Sequence, residues 1–155
     1  MATIRVQQED FNVGVEMAAL RKGNAKIGAI ASFVGLVRDI NDNAGVATLT
    51  LEHYPGMTEK ALATIVAEAE SRWALLGCTV IHRVGTLKPT DQIVLVIVAS
   101  SHRAHAFEAC QFIMDYLKTD APFWKKEVTS VGERWVDSRE SDAMAASRWK
   151  EKSAL

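Results

Sequence analysis

The run QIVLVIVASS holds seven consecutive apolar residues, Ile93 to Ala99. A strand with one wet face alternates apolar and polar side chains, whereas an unbroken, largely β-branched run belongs to a strand covered on both faces. This segment is therefore read as a central strand, and the other elements must supply its neighbours and its two covering layers. It is far too short to span a membrane.

Ile4 to Gln8 reads as a first strand, and Val13 to Lys22, closed by Gly23, as a short helix. IGAIASFVGLVR, Ile27 to Arg38, is rich in small and apolar residues. Its Gly28 and Gly35 suit a buried strand with a bulge or a close backbone approach. VATLTLEH, Val46 to His53, alternates cleanly after the turn cluster DINDNAG, so these two strands are expected to pair as a hairpin. Thr58 is expected to cap a helix in which Ala61, Leu62, Ile65, Val66, Ala69 and Trp73 recur at helical spacing until Gly77.

CTVIHRVGTL is expected as one strand, joined to QIVLVIVASS by the turn KPTD. Ser100 or Ser101 is then expected to cap a helix running to about Lys118, with Ala106, Phe107, Cys110, Ile113, Met114 and Leu117 as its buried stripe. FWKKEV and ERWVD read as a hairpin around SVGE. The tail SRESDAMAASRWKEKSAL reads as polar and weakly helical, with disorder expected after about residue 149. Strands interspersed with two main helices, without a linker or internal repeat, predict a single α+β domain over 1–155 with a mostly antiparallel sheet.

With 48% hydrophobic and 24% charged residues the composition is that of a soluble globular protein. A net charge of -1 gives no global field toward nucleic acid or anionic lipid, so any anion site must come from local clustering. Cys78 and Cys110 lie far apart, with no CxxC or Cys/His metal spacing. The opening MATIRVQQEDF has no long apolar run, so no signal peptide is read and a cytoplasmic location is expected. There is no Walker loop, no GxGxxG and no G-x-S-x-G elbow.

Basic residues cluster at both ends of the last long helix. At its start, SSHRAHAFE places His102, Arg103 and His105 where free N–H groups and the helix dipole favour anions, which makes a phosphate seat. The competing reading is a solvated turn. As a metal pair, His102 and His105 lack a third ligand. At its end, DYLKTDAPFWKKE interleaves Lys118, Lys125 and Lys126 with Pro122, Phe123 and Trp124. Lys118 falls on the margin of the apolar stripe. There it either snorkels at the helix terminus or lines a pocket edge, where a lowered pKa would let it move protons or attack a carbonyl. In the following strand Phe123, Lys125 and Glu127 share one face, which sets Lys125 beside a carboxylate. Arg38 and Arg139, each at an element end, are further candidate anion clamps, although arginines are common at such places. From the residues alone this is an α+β domain with a candidate basic pocket and no named reaction.

Longer segments go further. LEHYPGMTEKAL, IHRVG, SSHRAHAFEA, QFIMDYLKTDAPFWKKE and ERWVDSRESD together closely resemble the MoaE family, the large catalytic subunits of molybdopterin synthase. The resemblance runs from about Ile27 to Trp149. It implies a hammerhead-type α+β fold and a sulfurtransferase of molybdenum cofactor biosynthesis. The substrate would be cyclic pyranopterin monophosphate (precursor Z), converted to the dithiolene of molybdopterin. The sulfur donor would be a thiocarboxylated ubiquitin-like small subunit. Two large subunits would dimerise within a heterotetramer, with no cofactor or metal of their own. By the same resemblance Lys118 is the essential lysine, Lys125 a second functional lysine and Glu127 its orienting neighbour. Arg38, His102, Arg103 and Arg139 bind pterin and phosphate, some of them across the dimer interface. Lys126 stands where the family can hold arginine and is left out of the core site.

The rival reading is a non-catalytic dimeric module that binds an anionic peptide tail or a nucleic acid. The basic and aromatic segment favours it; the net charge and the lack of an extended basic stripe oppose it. A metal-dependent hydrolase built on His102 and His105 is a third.

Overall fold

The computed structural model describes residues 2–41, 44–129, 132–136 and 140–152. In chain order the elements are β1 (Ala2–Gln7), α1 (Val13–Arg21), β2 (Ala29–Leu36), β3 (Ile40–Asn41), β4 (Ala44–His53), α2 (Met57–Arg72) and β5 (Leu75–Arg83). These are followed by β6 (Gly85–Leu87), β7 (Gln92–Ser100), α3 (Arg103–Asp120), β8 (Phe123–Thr129), β9 (Gly132–Val136) and α4 (Glu140–Lys152).

The apolar run is β7, and it sits inside a sheet of order β1-β5-β7-β2. Both neighbours of β7 are antiparallel to it; only the outer pair, β1 with β5, is parallel. Side chains of a strand alternate between faces, and both faces of β7 are covered. Val94, Val96 and Val98 pack with Leu62, Ile65 and Val66 of α2 and with Phe112, Ile113 and Leu117 of α3. Leu95 and Ile97 pack with Ile81 and Phe11, beneath Met17 and Leu20 of α1. The two longest helices, α2 and α3, therefore lie on one face and α1 on the other.

A second sheet has the order β3-β4-β8-β9, with β6 also paired to β4. Leu49, Leu51, Val84, Leu87 and Val37 form a smaller core that joins it to the end of the first sheet, where Val6 and Ile93 pack against it. The α+β class and the mostly antiparallel pairing agree with the sequence. So do Gly28, just before β2, and Gly35 within it. A Cβ on Gly28 would lie 2.4 Å from the Ser101 carbonyl oxygen, and the register shifts between Gly35 and Leu36.

Several local expectations are overturned. β2 and β4 do not form a hairpin: β2 pairs with β7, while β4 pairs with β8 and β6. The turn between them signals only the short β3–β4 hairpin, because the partner of a buried strand is chosen by distant burial. CTVIHRVGTL is not one strand. It breaks at Val84, and Gly85, at φ 90, redirects the chain so that β5 stays in the first sheet while β6 joins the second. α2 ends at Arg72, not Gly77. Gly77 lies in β5 at a register shift, where a Cβ would come 2.8 Å from Leu20 Cδ1.

Thr58 is not the cap of α2; Gly56 is, and its N–H donates to Glu59 Oε1 at 2.9 Å. Nor does a serine cap α3: His102 occupies that position, its N–H donating to Ser100 Oγ at 3.4 Å. Phe107 is 66% exposed and leaves the buried stripe, in which Phe112 is the large aromatic.

The polar tail docks. α4 runs on to Lys152, past the point where order was expected to end, while residues 153–155 lie outside the described ones. Trp149 is buried edge-on against Trp73 and Phe112. Buried Asp115 on α3 accepts hydrogen bonds from Trp149 Nε1 at 2.7 Å, Arg148 Nη2 at 2.8 Å and Gln111 Nε2 at 2.8 Å. A carboxylate with that many donors is compensated for its burial. Trp149→Ala is expected to cost about 3–5 kcal/mol in urea unfolding; a loss under about 1 kcal/mol, typical of surface changes, would show that α4 adds little to the core.

Candidate functional site

Pro122 cannot continue α3, and only Ala121 and Pro122 separate that helix from β8. The corner is pinned by Thr58, whose hydroxyl donates to the Pro122 carbonyl at 3.0 Å while accepting from the Tyr54 N–H at 3.0 Å. This short passage from a helix of the first sheet into a strand of the second brings Lys118 and Lys125 to one place. There a cavity of about 570 Å³ opens, lined by Arg38, His82, Lys118, Lys125, Glu127 and Asp142 among apolar side chains from β2, β7 and α3. Its volume is in the range of small-molecule sites. Arg38 reaches it just after β2, next to Val37, whose N–H donates to the Asp91 carbonyl and whose carbonyl accepts from Thr90 N–H, both at 2.9 Å.

Lys118 is exposed on the last turn of α3, and Lys125 is half-buried on β8. Glu127, 4% exposed, accepts from Arg134 Nε at 3.0 Å, the residue opposite it in the β8–β9 register. That ion pair partly balances a carboxylate which would otherwise be costly to bury. Lys126 points to the other face, 3.9 Å from Glu133 and over the Trp135 ring. The described cations on the cavity are thus Arg38, Lys118 and Lys125.

His82 was missed by sequence reasoning. The available signal was a histidine inside the otherwise apolar middle of CTVIHRVG, where an unpaired polar ring needs a reason. Its ring is 3% exposed and stacks on Phe123, with centroids 3.7 Å apart and planes 18° from parallel. Burial first, and then the positive charges of Lys125, Lys118 and His53, push its pKa down to about 3 against a hydrogen bond to the Arg83 carbonyl that raises it. Burial also pushes the thiols of Cys78 and Cys110 up, to about 12 and about 11, which leaves neither suited to be a nucleophile.

His102 and Arg103 lie elsewhere. Both are exposed at the N-terminal end of α3, and neither lines the cavity. Fifteen residues of helix separate Arg103 from Lys118, roughly 22 Å along the axis. The rings of His102 and His105 stand edge-on at 6.1 Å, and no third metal-ligating side chain joins them among the described residues. Arg139 lies outside the described residues.

Fold and cavity define an α+β protein with a basic, partly apolar pocket between a helix end and a second sheet. Comparison with known proteins narrows this further. The chain belongs to the MoaE protein family, whose model matches residues 6–120. A relative from Ralstonia nicotianae, named molybdopterin synthase catalytic subunit, is 65% identical over 149 residues, covering 96% of this chain and 85% of that one. One of the same name from Pseudomonas aeruginosa is 58% identical over 148 residues, covering 96% and 99%. The solved molybdopterin biosynthesis MoaE protein from Burkholderia ambifaria superposes with a TM-score of 0.83 at 58% identity, covering 97% of this chain and 99% of that one.

The depressed pKa of His82 has a consequence for stability. Below its usual value of 6.5 the unfolded chain takes up a proton that the folded ring refuses, so stability falls as pH drops from 6.5 toward 3. By pH 5 this linkage amounts to about 2 kcal/mol. His82→Gln is expected to flatten the pH dependence of urea unfolding between pH 7.5 and 5 by about that amount; parallel curves for the two proteins would contradict the buried neutral ring.

Proposed function

We propose that this chain is the catalytic subunit of a molybdopterin synthase, a sulfurtransferase that moves sulfur from the thiocarboxylate of a ubiquitin-like small subunit to cyclic pyranopterin monophosphate. The observation that carries the reading is the convergence of Lys118, Lys125 and Arg38 on one cavity in a chain whose net charge is -1. Two anions must meet in this reaction, the carrier tail and the cyclic phosphate, and a few ordered cations in a partly dry pocket bring them together. The relatives' name, a catalytic subunit, implies a companion chain.

The residues take distinct roles. Lys118, unburied and at the mouth of the corner, neutralises and positions the thiocarboxylate and supplies a proton as oxygen leaves. Lys125, half-buried on the opposite wall, holds the substrate side, with Glu127 limiting its orientation. Arg38 offers the planar fork suited to phosphate. Arg139 belongs to the same phosphate clamp. His102 and Arg103 cannot reach their own chain's cavity, so in this reading they serve the cavity of a second copy. The catalytic unit is then a dimer of this chain, and with two small subunits a heterotetramer in the cytoplasm.

Reconstitution tests this. Purified protein, thiocarboxylated small subunit and precursor Z are expected to give the dithiolene product, detected after oxidation to its fluorescent form. Lys118→Ala is expected to abolish product while leaving carrier binding intact. Tight carrier binding with no product from the wild-type chain would instead favour the non-catalytic binding module.

Sharing across copies has its own test. Lys118→Ala and Arg103→Ala chains, each inactive alone, are expected to regain activity when refolded together, since a mixed dimer rebuilds one complete site. Failure to complement, in dimers shown to be mixed, would return both residues to a single-chain role.

A further inference from the structure

The pairing of β8 with β9 stacks two layers of side chains on the face turned to the cavity. Side chains alternate along a strand, so Lys125 and Glu127 share that face, opposite Val136 and Arg134 in the register. Lys125, Val136 and Glu127 all line the cavity, whereas Arg134 stands behind Glu127 and does not. On the other side of β8 the partners of Lys125 and Glu127 are Leu51 and Leu49, both buried and apolar. Arg134 is thus the charged one of the two cross-strand neighbours of Glu127. The Thr129 hydroxyl donates to the Gly132 carbonyl at 2.9 Å and fixes this register at the hairpin end.

Glu127 is buried, and it accepts from Arg134 Nε at 3.0 Å. The charged groups around it on the cavity come from four places. Lys125 stands on β8, Lys118 on α3, Arg38 just after β2 and Asp142 on α4. A buried carboxylate that loses its partner must draw another cation or take up a proton. The next cation along its own face is Lys125, two residues earlier.

We propose that Arg134 is a positioning residue for substrate binding: by engaging the charge of Glu127 it keeps that carboxylate from drawing the Lys125 ammonium away from the cavity. Lys125 then stays turned toward the anion it is to hold. A guanidinium suits the task, since it remains charged at every relevant pH and its planar fork matches a carboxylate. Arg134 touches no substrate and acts through Glu127 and Lys125. This role rests on the sulfur-transfer reading of the cavity.

The test uses the full chain with its thiocarboxylated small subunit and precursor Z. Arg134→Ala is expected to raise KM for precursor Z roughly 10-fold, the scale of one lost contact to a charged group, with kcat and carrier affinity near wild type. A pair that served the fold alone would lower the melting temperature and leave KM of the folded enzyme unchanged, and that result would overturn the proposal. Glu127→Gln removes the charge that Arg134 offsets while keeping the shape. In that background Arg134→Ala is expected to change KM by less than about twofold, because no carboxylate is left to restrain. A rise of roughly 10-fold persisting there would show Arg134 acting by another route and would overturn the proposal even where the single Arg134→Ala chain does not fold.

A crystal structure of Arg134→Ala gives a readout that needs no turnover. Lys125 Nζ is expected to swing toward the Glu127 carboxylate; Lys125 keeping its wild-type rotamer would refute the role. An inactive wild-type reconstitution would sink the sulfur-transfer reading instead, and the rotamer of Lys125 would still decide whether Arg134 restrains Glu127.

Discussion

Coverage of β7 on both faces is the constraint from which the site follows. α3 leaves β7 after two residues and must lay its apolar stripe back over Val94, Val96 and Val98. That return fixes the direction of the helix, and its length fixes where it ends. Lys118 is therefore delivered to a set position at the far end of the sheet, beside the end of β2 and the start of β8. Pro122 then stops the helix and sends the chain into a second sheet. A candidate site at such a junction gains precision from two rigid elements, where a long loop would leave it loose.

The second requirement is to gather positive charge in a chain that has none to spare. Three cations face one cavity, and of the two carboxylates among them, Glu127 and Asp142, Glu127 is tied to Arg134. His82 completes the arrangement by staying uncharged. A protonated imidazole between Lys118 and Lys125 would add repulsion where a substrate anion is not yet present. Burial thus removes one titrating charge from the cavity wall. The same burial pushes the Cys78 and Cys110 thiols up and keeps them inert.

Much of this was legible in the sequence, and the limits are physical. The unbroken run of β7 announced its place, and Gly28 and Gly35 announced a close approach and a bulge. Periodicity found α2 and α3, and the interleaved lysines and aromatics marked the corner that became the cavity wall. What failed was non-local. No turn signal says that β2 belongs to β7 and β4 to β8, because that choice is made by burial over the whole chain. The break at Gly85 was hidden because buried apolar residues stand on both sides of it, Val84 before and Leu87 after. Trp149 lay in a polar stretch and was unreadable until Asp115, more than thirty residues earlier, was seen to accept its N–H. His82 escaped for a related reason: a lone histidine in an apolar strand takes its meaning from Phe123 and the two lysines, all distant in sequence.

The two ends of α3 pose the last question of design. One helix carries Lys118 at its C-terminal end and His102 with Arg103 at its N-terminal end, roughly 22 Å apart along the axis. Groups so separated cannot act on one small molecule, yet both ends are basic. The local physics of each end differs. Lys118 suits the negative end of the helix dipole, whereas Arg103 stands at the positive end with no acidic residue in the first turn to offset it. An uncompensated cation at that place costs a little stability in the isolated chain, which an arriving phosphate would repay through both the side chain and the free N–H groups. Under the proposed function, two-fold association provides the simplest geometry in which that phosphate would lie in the cavity that Lys118 and Lys125 line. The N-terminal end of one copy would meet the C-terminal end of the other, twice over, and each cavity would be completed by the chain that does not build it.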